Sequence, residues 1–249
     1  MSLLRDQVVS ATIGRIYHVQ VPANPCQATV PAIIVFHGGG QDVATIAARW
    51  GVDPPNPVPV PLEDYLLVFP EADHRLSGEW AHLTAGDSGL PSYDLDFVAA
   101  LVTEITTRPY PTGSAAVTDV TADPDLVYAA GFSNGGGMVW QLMNSDLVTR
   151  FRGFAAVGKA LDPEKADAYR KRLADVGSQP AAVPVMYVHG TGDRGYRPPS
   201  TAEEMPLHTT LPAFTVQEML ARNIIPADLP ATTTLAAGST NRTEVVTQL

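Results

Sequence analysis

A glycine-flanked serine in the pentapeptide Gly-Phe-Ser-Asn-Gly, residues 131–135, constrains the fold of this chain more than any other feature. The pentapeptide follows an apolar run, residues 126–130, and precedes a segment that can start a helix. Glycines leave room for a tight strand-to-helix turn, which would force Ser133 into a sparsely populated backbone conformation. Amides at the start of the helix would then face a developing oxyanion. This context predicts a nucleophilic serine. The alternative is a glycine-rich turn whose serine only caps a helix.

Two further turns also follow strand-like runs. Residues 37–40, His-Gly-Gly-Gly, come after the apolar residues 32–36, and such a turn supplies a backbone N–H that can bind a substrate carbonyl oxygen. Residues 185–188 lead into a turn that contains Asp193, where a triad carboxylate is expected. The three motifs occur in the order glycine loop, serine, acid, which predicts the scaffold of a serine hydrolase.

Four stretches resemble the poly(3-hydroxybutyrate) depolymerase and feruloyl esterase group of the α/β-hydrolases: residues 34–40, 93–105, 128–140 and 183–193. The resemblance implies the α/β-hydrolase fold, with a mainly parallel central sheet and helices on both faces. It also implies Ser133 as the nucleophile and Asp193 as the triad acid. By the same resemblance, the oxyanion hole would be formed by the amides of Gly39 and Asn134.

The third member of the triad is not identified in the sequence. The resemblance implies that the histidine follows the acid after one more helix and one more strand, and residues 215–223 and 243–249 are predicted as these elements. His208 follows the acid but precedes the predicted helix. We therefore expect the catalytic histidine beyond residue 249, in a chain truncated at its C-terminus. His208 is predicted to contact substrate or solvent, with service as a substitute base as the alternative.

Length and composition indicate one globular domain. The chain has 249 residues, so we expect a single α/β domain spanning residues 1–249. Apolar residues make up 45% of the sequence and charged residues 17%, which is typical of a globular protein. The net charge of −10 argues against nucleic acid or an anionic membrane surface as a partner. No apolar run in the sequence reaches the roughly 18 residues that a membrane span needs.

Cysteine content and the N-terminal sequence leave the location of the protein open. Cys26 is the one cysteine, so no internal disulfide can form, which weakens an extracellular assignment. The first residues lack the features of a signal peptide, so both a cytoplasmic location and secretion after signal removal stay open. The oligomeric state also stays open. The predicted chemistry needs no metal or organic cofactor, and no Cys/His cluster suggests one.

Two segments and one aromatic residue are candidates for contact with substrate. Segments 162–177 and 195–212 are candidates for a partial lid, because loops at the carboxyl ends of the strands bind ligands in this class of sheet. For the first segment, the alternative is an ordinary crossover helix. Trp80 is a candidate for stacking on an aromatic or polymeric substrate, and loop packing is its alternative.

The sequence therefore predicts a serine carboxylic-ester hydrolase that works through an acyl-enzyme on Ser133. Polyesters such as poly(3-hydroxybutyrate), feruloyl or acetyl esters and short-chain esters are all open as substrates. Two alternatives belong to other classes. One is a non-catalytic binding protein with an α/β-hydrolase-like fold, and the other is a serine peptidase on the same scaffold.

Overall fold

The computed structural model describes residues 2–9, 14–52, 62–73, 78–80, 93–161, 183–190, 232–235 and 243–247. Within these ranges the chain forms ten strands, three α-helices and one 3-10 helix (Asp146–Arg150). The strands are β1 (Ser2–Val9), β2 (Arg15–Val21), β3 (Thr29–Phe36), β4 (Leu66–Pro70), β5 (Tyr110–Pro111), β6 (Asp119–Phe132), β7 (Gly153–Val157), β8 (Val185–Gly190), β9 (Thr232–Leu235) and β10 (Thr243–Thr247). The helices are α1 (Val43–Arg49), α2 (Tyr93–Thr107) and α3 (Asn134–Met143).

One sheet dominates the described structure, with the strand order β1-β2-β4-β3-β6-β7-β8-β10-β9 and with β5 paired to β6. Its centre, from β4 through β3, β6 and β7 to β8, is parallel. The strands at both sides, β1 and β2 at one and β10 and β9 at the other, are antiparallel to their neighbours. The predicted mainly parallel central sheet is confirmed.

Helices cover both faces of this sheet, as predicted. Side chains alternate along a strand, so Ile34 on β3 packs into a core with α2 and α3, whereas Val35 packs on the opposite face with α1. Helix α2 buries its apolar stripe on the first face and carries two acids in its first turn, which favours the helix electrostatically. Its buried apolar residues are Phe97, Val98, Leu101, Val102 and Ile105.

The sequence predicted β3, β6 and β8 because each contains a short apolar run, and such runs are typical of strands buried on both faces. Strand β6 is longer than the apolar run at residues 126–130, since its first part also pairs with β3 across an irregularity in register. Helix α1 was not predicted: it has seven residues and begins at an Asp42 cap, whose side chain accepts a hydrogen bond from Thr45 N–H. Segments 162–177, 195–212 and 215–223 lie outside the described residues.

In the part of the chain that the structure describes, no helix combines the length and apolarity needed to cross a membrane.

Candidate active site

Ser133 lies on the turn between β6 and α3 in a backbone conformation that side chains rarely adopt. Its φ is 52° and its ψ is −115°, and no other described residue with a side chain has a positive φ. Such a conformation costs about 1–3 kcal/mol and persists where surrounding contacts enforce it. One of these contacts is the hydrogen bond from Ser133 N–H to the carbonyl oxygen of Val157 on β7, at 2.8 Å. The strained turn predicted from the pentapeptide is present.

Gly131 and Gly135 are required by close backbone contacts on either side of Ser133. A Cβ atom on Gly131 would stand 2.1 Å from the carbonyl oxygen of Gly135, and one on Gly135 would stand 2.2 Å from that of Phe36. Neither distance is compatible with a side chain unless the backbone moves. The turn can therefore be this tight only because both flanking residues are glycine.

The hydroxyl of Ser133 does not cap helix α3. Ser133 occupies the N-cap position, yet its side chain makes no capping hydrogen bond to the described first turn of the helix. The side chain is partly exposed, and the first-turn amides of α3 lie beside it. This geometry does not support the alternative in which the serine only caps a helix. Ser133 as nucleophile stays a prediction.

The glycine loop begins where β3 ends and lies next to the serine turn. Phe36 pairs with Gly131 in the parallel register of β3 and β6, so the two strands reach the same edge of the sheet together. The loop closes on itself: Gly38 N–H donates to Gln41 Oε1 at 3.1 Å, and Gln41 N–H donates to the Gly38 carbonyl oxygen at 3.2 Å. Adjacent strands thus bring the two predicted parts of the oxyanion hole to one place.

Gly39 and Asn134, the residues predicted to supply the oxyanion amides, are neighbours in space. A Cβ atom on Gly39 would stand 3.4 Å from Cβ of Asn134, so the glycine loop and the start of α3 are close neighbours. Gly39 is exposed, and Asn134 is the first residue of α3. The structure therefore brings together Ser133, Gly39 and Asn134.

Trp80 is a buried packing residue at this site. Its side chain is 1% exposed, and its indole Nε1–H donates to the carbonyl oxygen of His37 at 3.0 Å. Its backbone N–H donates to Oδ1 of Asn134 at 2.8 Å. Of the two interpretations given to Trp80, these contacts favour loop packing over stacking on substrate.

His37 holds the glycine loop to the end of β4. Ala72 N–H donates to its Nε2 at 3.1 Å, so the ring proton belongs on Nδ1, which lies 2.9 Å from the carbonyl oxygen of Gly38. The ring is fully buried. His37 is therefore a structural histidine.

A buried ion pair below Trp80 was not predicted. Arg15 at the start of β2 pairs with Asp94 in the first turn of α2, and it also donates to the carbonyl oxygen of Glu71 at 2.8 Å. The guanidinium lies 3.9 Å from the ring centroid of Phe97 and 5.4 Å from that of Trp80. Arg15 thus joins three segments beneath the site. The partners come from distant positions, so periodicity and spacing could not have indicated them.

Glu79 is a second residue that sequence reasoning missed. It is exposed, and one of its carboxylate oxygens would stand 3.2 Å from a Cβ atom on Gly39. A negative charge therefore lies beside one of the two predicted oxyanion donors. The sequence Gly78-Glu79-Trp80 carries no motif that would have indicated this position.

Two predicted site residues, Asp193 and His208, lie outside the described residues. Strand β8 is described to Gly190 and is parallel to β7, which is parallel to β6. Its carboxyl end therefore reaches the same edge of the sheet as the end of β6, and Asp193 follows that end by three residues. Asp193 as the triad acid stays a prediction, as does substrate contact by His208.

No model of a known protein family matches the sequence, and no curated protein is significantly similar to it. Solved structures do match. S-formylglutathione hydrolase (FrmB) from Staphylococcus aureus aligns with a TM-score of 0.52 at 11% identity, over 90% of this chain and 85% of that chain. A thermostable esterase aligns with a TM-score of 0.49 at 16% identity, over 74% of this chain and 45% of that one. LpqC, a poly(3-hydroxybutyrate) depolymerase from Bordetella parapertussis, aligns with a TM-score of 0.41 at 20% identity, over 57% and 45%.

The chain has the α/β-hydrolase fold. The similarity to the S-formylglutathione hydrolase covers most of both chains, and the parallel centre of the sheet and the strand-serine-helix turn agree with it. The chain spans 45% of the length of the thermostable esterase and 45% of that of the depolymerase. At these sequence identities, the similarity concerns the fold alone.

Proposed function

We propose that this protein is a serine carboxylic-ester hydrolase that works through an acyl-enzyme on Ser133. One observation carries the proposal: a strained serine whose hydroxyl does not cap the following helix lies beside two neighbouring residues, Gly39 and Asn134, that can supply oxyanion amides. A structural serine would gain nothing from a conformation that costs about 1–3 kcal/mol. A nucleophile gains exposure at the tip of the turn.

In the proposed reaction, Ser133 Oγ attacks the carbonyl carbon of the ester and loses its proton to a general base. The negative charge that develops on the carbonyl oxygen is stabilised by the amides of Gly39 and Asn134. Collapse of this intermediate breaks the ester bond, and the base returns the proton to the departing alcohol. Water then attacks the acyl-enzyme by the same route and releases the acid.

The base in this chemistry is an imidazole, oriented by a carboxylate. We propose Asp193 as that carboxylate, because it follows β8 at the edge of the sheet where β6 delivers Ser133. Each oxyanion donor in such a site contributes roughly 3 kcal/mol to the stability of the transition state. The amides therefore matter nearly as much as the base.

The proposed substrates are carboxylic esters. The sequence resemblance to poly(3-hydroxybutyrate) depolymerases and feruloyl esterases gives the candidates to be compared: oligomers of 3-hydroxybutyrate, methyl ferulate, acetylated sugars and short-chain p-nitrophenyl esters. Turnover of 3-hydroxybutyrate oligomers would assign the protein to the depolymerases, and turnover of methyl ferulate would assign it to the feruloyl esterases. Turnover of the short esters alone would leave it a general esterase.

The test is covalent labelling of the full-length protein with a fluorophosphonate, followed by peptide mapping in a mass spectrometer. We expect one adduct, on Ser133, together with hydrolysis of p-nitrophenyl acetate. Ser133→Ala should lose both while its thermal unfolding stays normal. Ser114→Ala is the matched control, because Ser114 is also partly exposed and its hydroxyl accepts a hydrogen bond from Ala116 N–H at 3.2 Å.

Three other outcomes would contradict the proposal. An unlabelled Ser133 with no hydrolysis would indicate a non-catalytic binding protein. Labelling together with cleavage of peptide amides, but not of esters, would indicate a peptidase. Equal hydrolysis by wild type and Ser133→Ala would remove Ser133 from the reaction.

A further inference from the structure

Trp80 contacts both halves of the proposed oxyanion hole. Its backbone N–H donates to the side chain of Asn134, in the helix that follows the serine, at 2.8 Å. Its indole N–H donates to the backbone of His37, at the root of the glycine loop, at 3.0 Å. One residue therefore links, by two hydrogen bonds, segments that are far apart in the sequence.

The indole is itself firmly packed. Its ring meets that of Phe36 edge-on, with centroids 5.0 Å apart and an interplanar angle of 89°, and lies 5.2 Å from the ring of His37. The Arg15 guanidinium, held by Asp94, lies 5.4 Å from the indole centroid. A ring confined in this way cannot change rotamer without opening the core. The two donor groups of Trp80, its backbone N–H and its indole N–H, are therefore held in place.

The geometry of an oxyanion hole depends on such a link. Two donors stabilise the oxyanion only if both point at the same atom, and a misplacement of about 1 Å can cost on the order of 100-fold in rate. The amide of Asn134 is fixed by α3, and that of Gly39 by a glycine loop. Gly39 and Asn134 are close neighbours, and Trp80 links their two segments by two hydrogen bonds.

We propose that Trp80 is a positioning residue that sets the distance between the Gly39 and Asn134 amides. It acts on Asn134 through the hydrogen bond that its backbone N–H donates to the Asn134 carboxamide. This inference rests on the proposed esterase function. It gives Asn134 two tasks: its backbone amide contacts the oxyanion, and its side chain holds Trp80. The residue after the nucleophile therefore contributes through its side chain as well as its backbone.

The experiment compares Trp80→Phe, Asn134→Ala and Trp140→Phe in the full-length protein. Trp80→Phe removes the indole N–H and keeps an aromatic ring, and Asn134→Ala removes the acceptor and keeps the backbone amide. Trp140→Phe is the matched control, because Trp140 is also buried and donates its indole N–H to a backbone carbonyl oxygen, that of Lys159, at 2.7 Å. Each Trp variant thus loses one indole hydrogen bond to a backbone carbonyl oxygen.

We expect kcat to fall by about 10- to 100-fold in Trp80→Phe and Asn134→Ala, with KM nearly unchanged, because the lost alignment matters mainly in the transition state. The affinity for a trifluoromethyl ketone, which forms a tetrahedral oxyanion on the serine, should fall by the same factor. Trp140→Phe should lose thermal stability similarly while its kcat stays within about twofold of wild type. Asn134→Ala keeps the proposal testable if Trp80→Phe does not fold.

Equal kcat and equal ketone affinity in Trp80→Phe and Trp140→Phe would overturn the inference, because Trp80 would then be only a packing residue. So would a loss in Asn134→Ala that appears in KM alone. Fluorophosphonate labelling of the wild type separates this failure from failure of the proposed function. A labelled wild type with unaffected variants would contradict the positioning role alone, whereas an unlabelled wild type would contradict both.

Discussion

Gly135 at the start of α3 lies directly against the carbonyl oxygen of Phe36 at the end of β3. A Cβ atom on Gly135 would stand 2.2 Å from that oxygen and 2.6 Å from the carbonyl oxygen of His37. The helix that follows the nucleophile and the strand that leads into the glycine loop are therefore in backbone contact. This backbone contact limits how closely the helix and the strand can approach each other.

Gly135→Ala should be among the most damaging single-methyl changes in the protein. The methyl group meets two carbonyl oxygens that cannot move without shifting β3, so we expect a loss of about 3 kcal/mol or more in the free energy of unfolding. Urea denaturation followed by circular dichroism measures it. Gly113→Ala is the control, because Gly113 has a φ of +79° but open space around it, and it should cost only about 1 kcal/mol. Equal losses in the two variants would contradict the contact.

Ser133→Gly should be more stable than Ser133→Ala, although both lack the nucleophile. Glycine relieves the strain at a φ of 52°, which outweighs its entropic cost in the unfolded chain, so we expect a difference of about 1 kcal/mol in the free energy of unfolding. At Ser114, where φ is negative, the order should reverse and the alanine variant should be the more stable. The same order at both positions would show that Ser133 carries no strain.

Glu79→Gln should increase the rate of ester hydrolysis. The carboxylate beside Gly39 opposes the negative charge of the oxyanion, and an exposed charge at such a distance is worth up to about 1 kcal/mol, or about fivefold in kcat/KM. This increase in rate should be smaller at high salt, because salt already screens the repulsion between the Glu79 carboxylate and the oxyanion. Asp125→Asn, at an exposed acid in the middle of β6, should leave kcat/KM unchanged. A lower rate in Glu79→Gln would mean that the carboxylate assists the reaction instead.

Asp42 should make helix α1 sensitive to acid. Hydrogen bonds from the Thr45 side chain and backbone hold the pKa of Asp42 below its usual value of 3.8. A lowered pKa in the folded protein means that the cap stabilises the fold at pH values above 3.8, and that this contribution is lost as the pH falls below that value.

Asp42→Ala should therefore lower the free energy of unfolding by about 1 kcal/mol at pH 7, and by less at pH 3. Asp42→Asn keeps a capping oxygen without a titrating carboxyl, so its stability should change less with pH than that of the wild type. Urea denaturation of the three proteins at both pH values provides the measurement. A constant difference between wild type and Asp42→Asn would contradict the assignment.

The parts of the fold that the sequence predicted are those encoded locally. Strands β3, β6 and β8 were predicted because each is an apolar run that ends in a glycine turn, and the strain at Ser133 follows from the two glycines beside it. These features need only neighbouring residues to be recognised. The helices on both faces were expected from the resemblance that these same local motifs carry.

The parts that were missed depend on contacts between distant segments. Helix α1 is too short for a periodic pattern, and its start is held partly by Glu71 from beyond β4, which accepts from Val43 N–H at 2.9 Å. The proposed role of Trp80 depends on its hydrogen bond to the Asn134 side chain, and the spacing of these residues in the sequence does not predict that bond. The charge of Glu79 beside Gly39 is a further case.

The pairing of Phe36 with Gly131 also has a consequence for folding kinetics. The glycine loop and Trp80 are synthesised well before β6, so neither can take its final place until a strand from much later in the chain arrives. Long-range pairing of this kind is slow compared with helix formation. Reactivity at Ser133 should therefore appear late in folding, when the sheet assembles. A fluorophosphonate would then label the native protein and would not label collapsed intermediates.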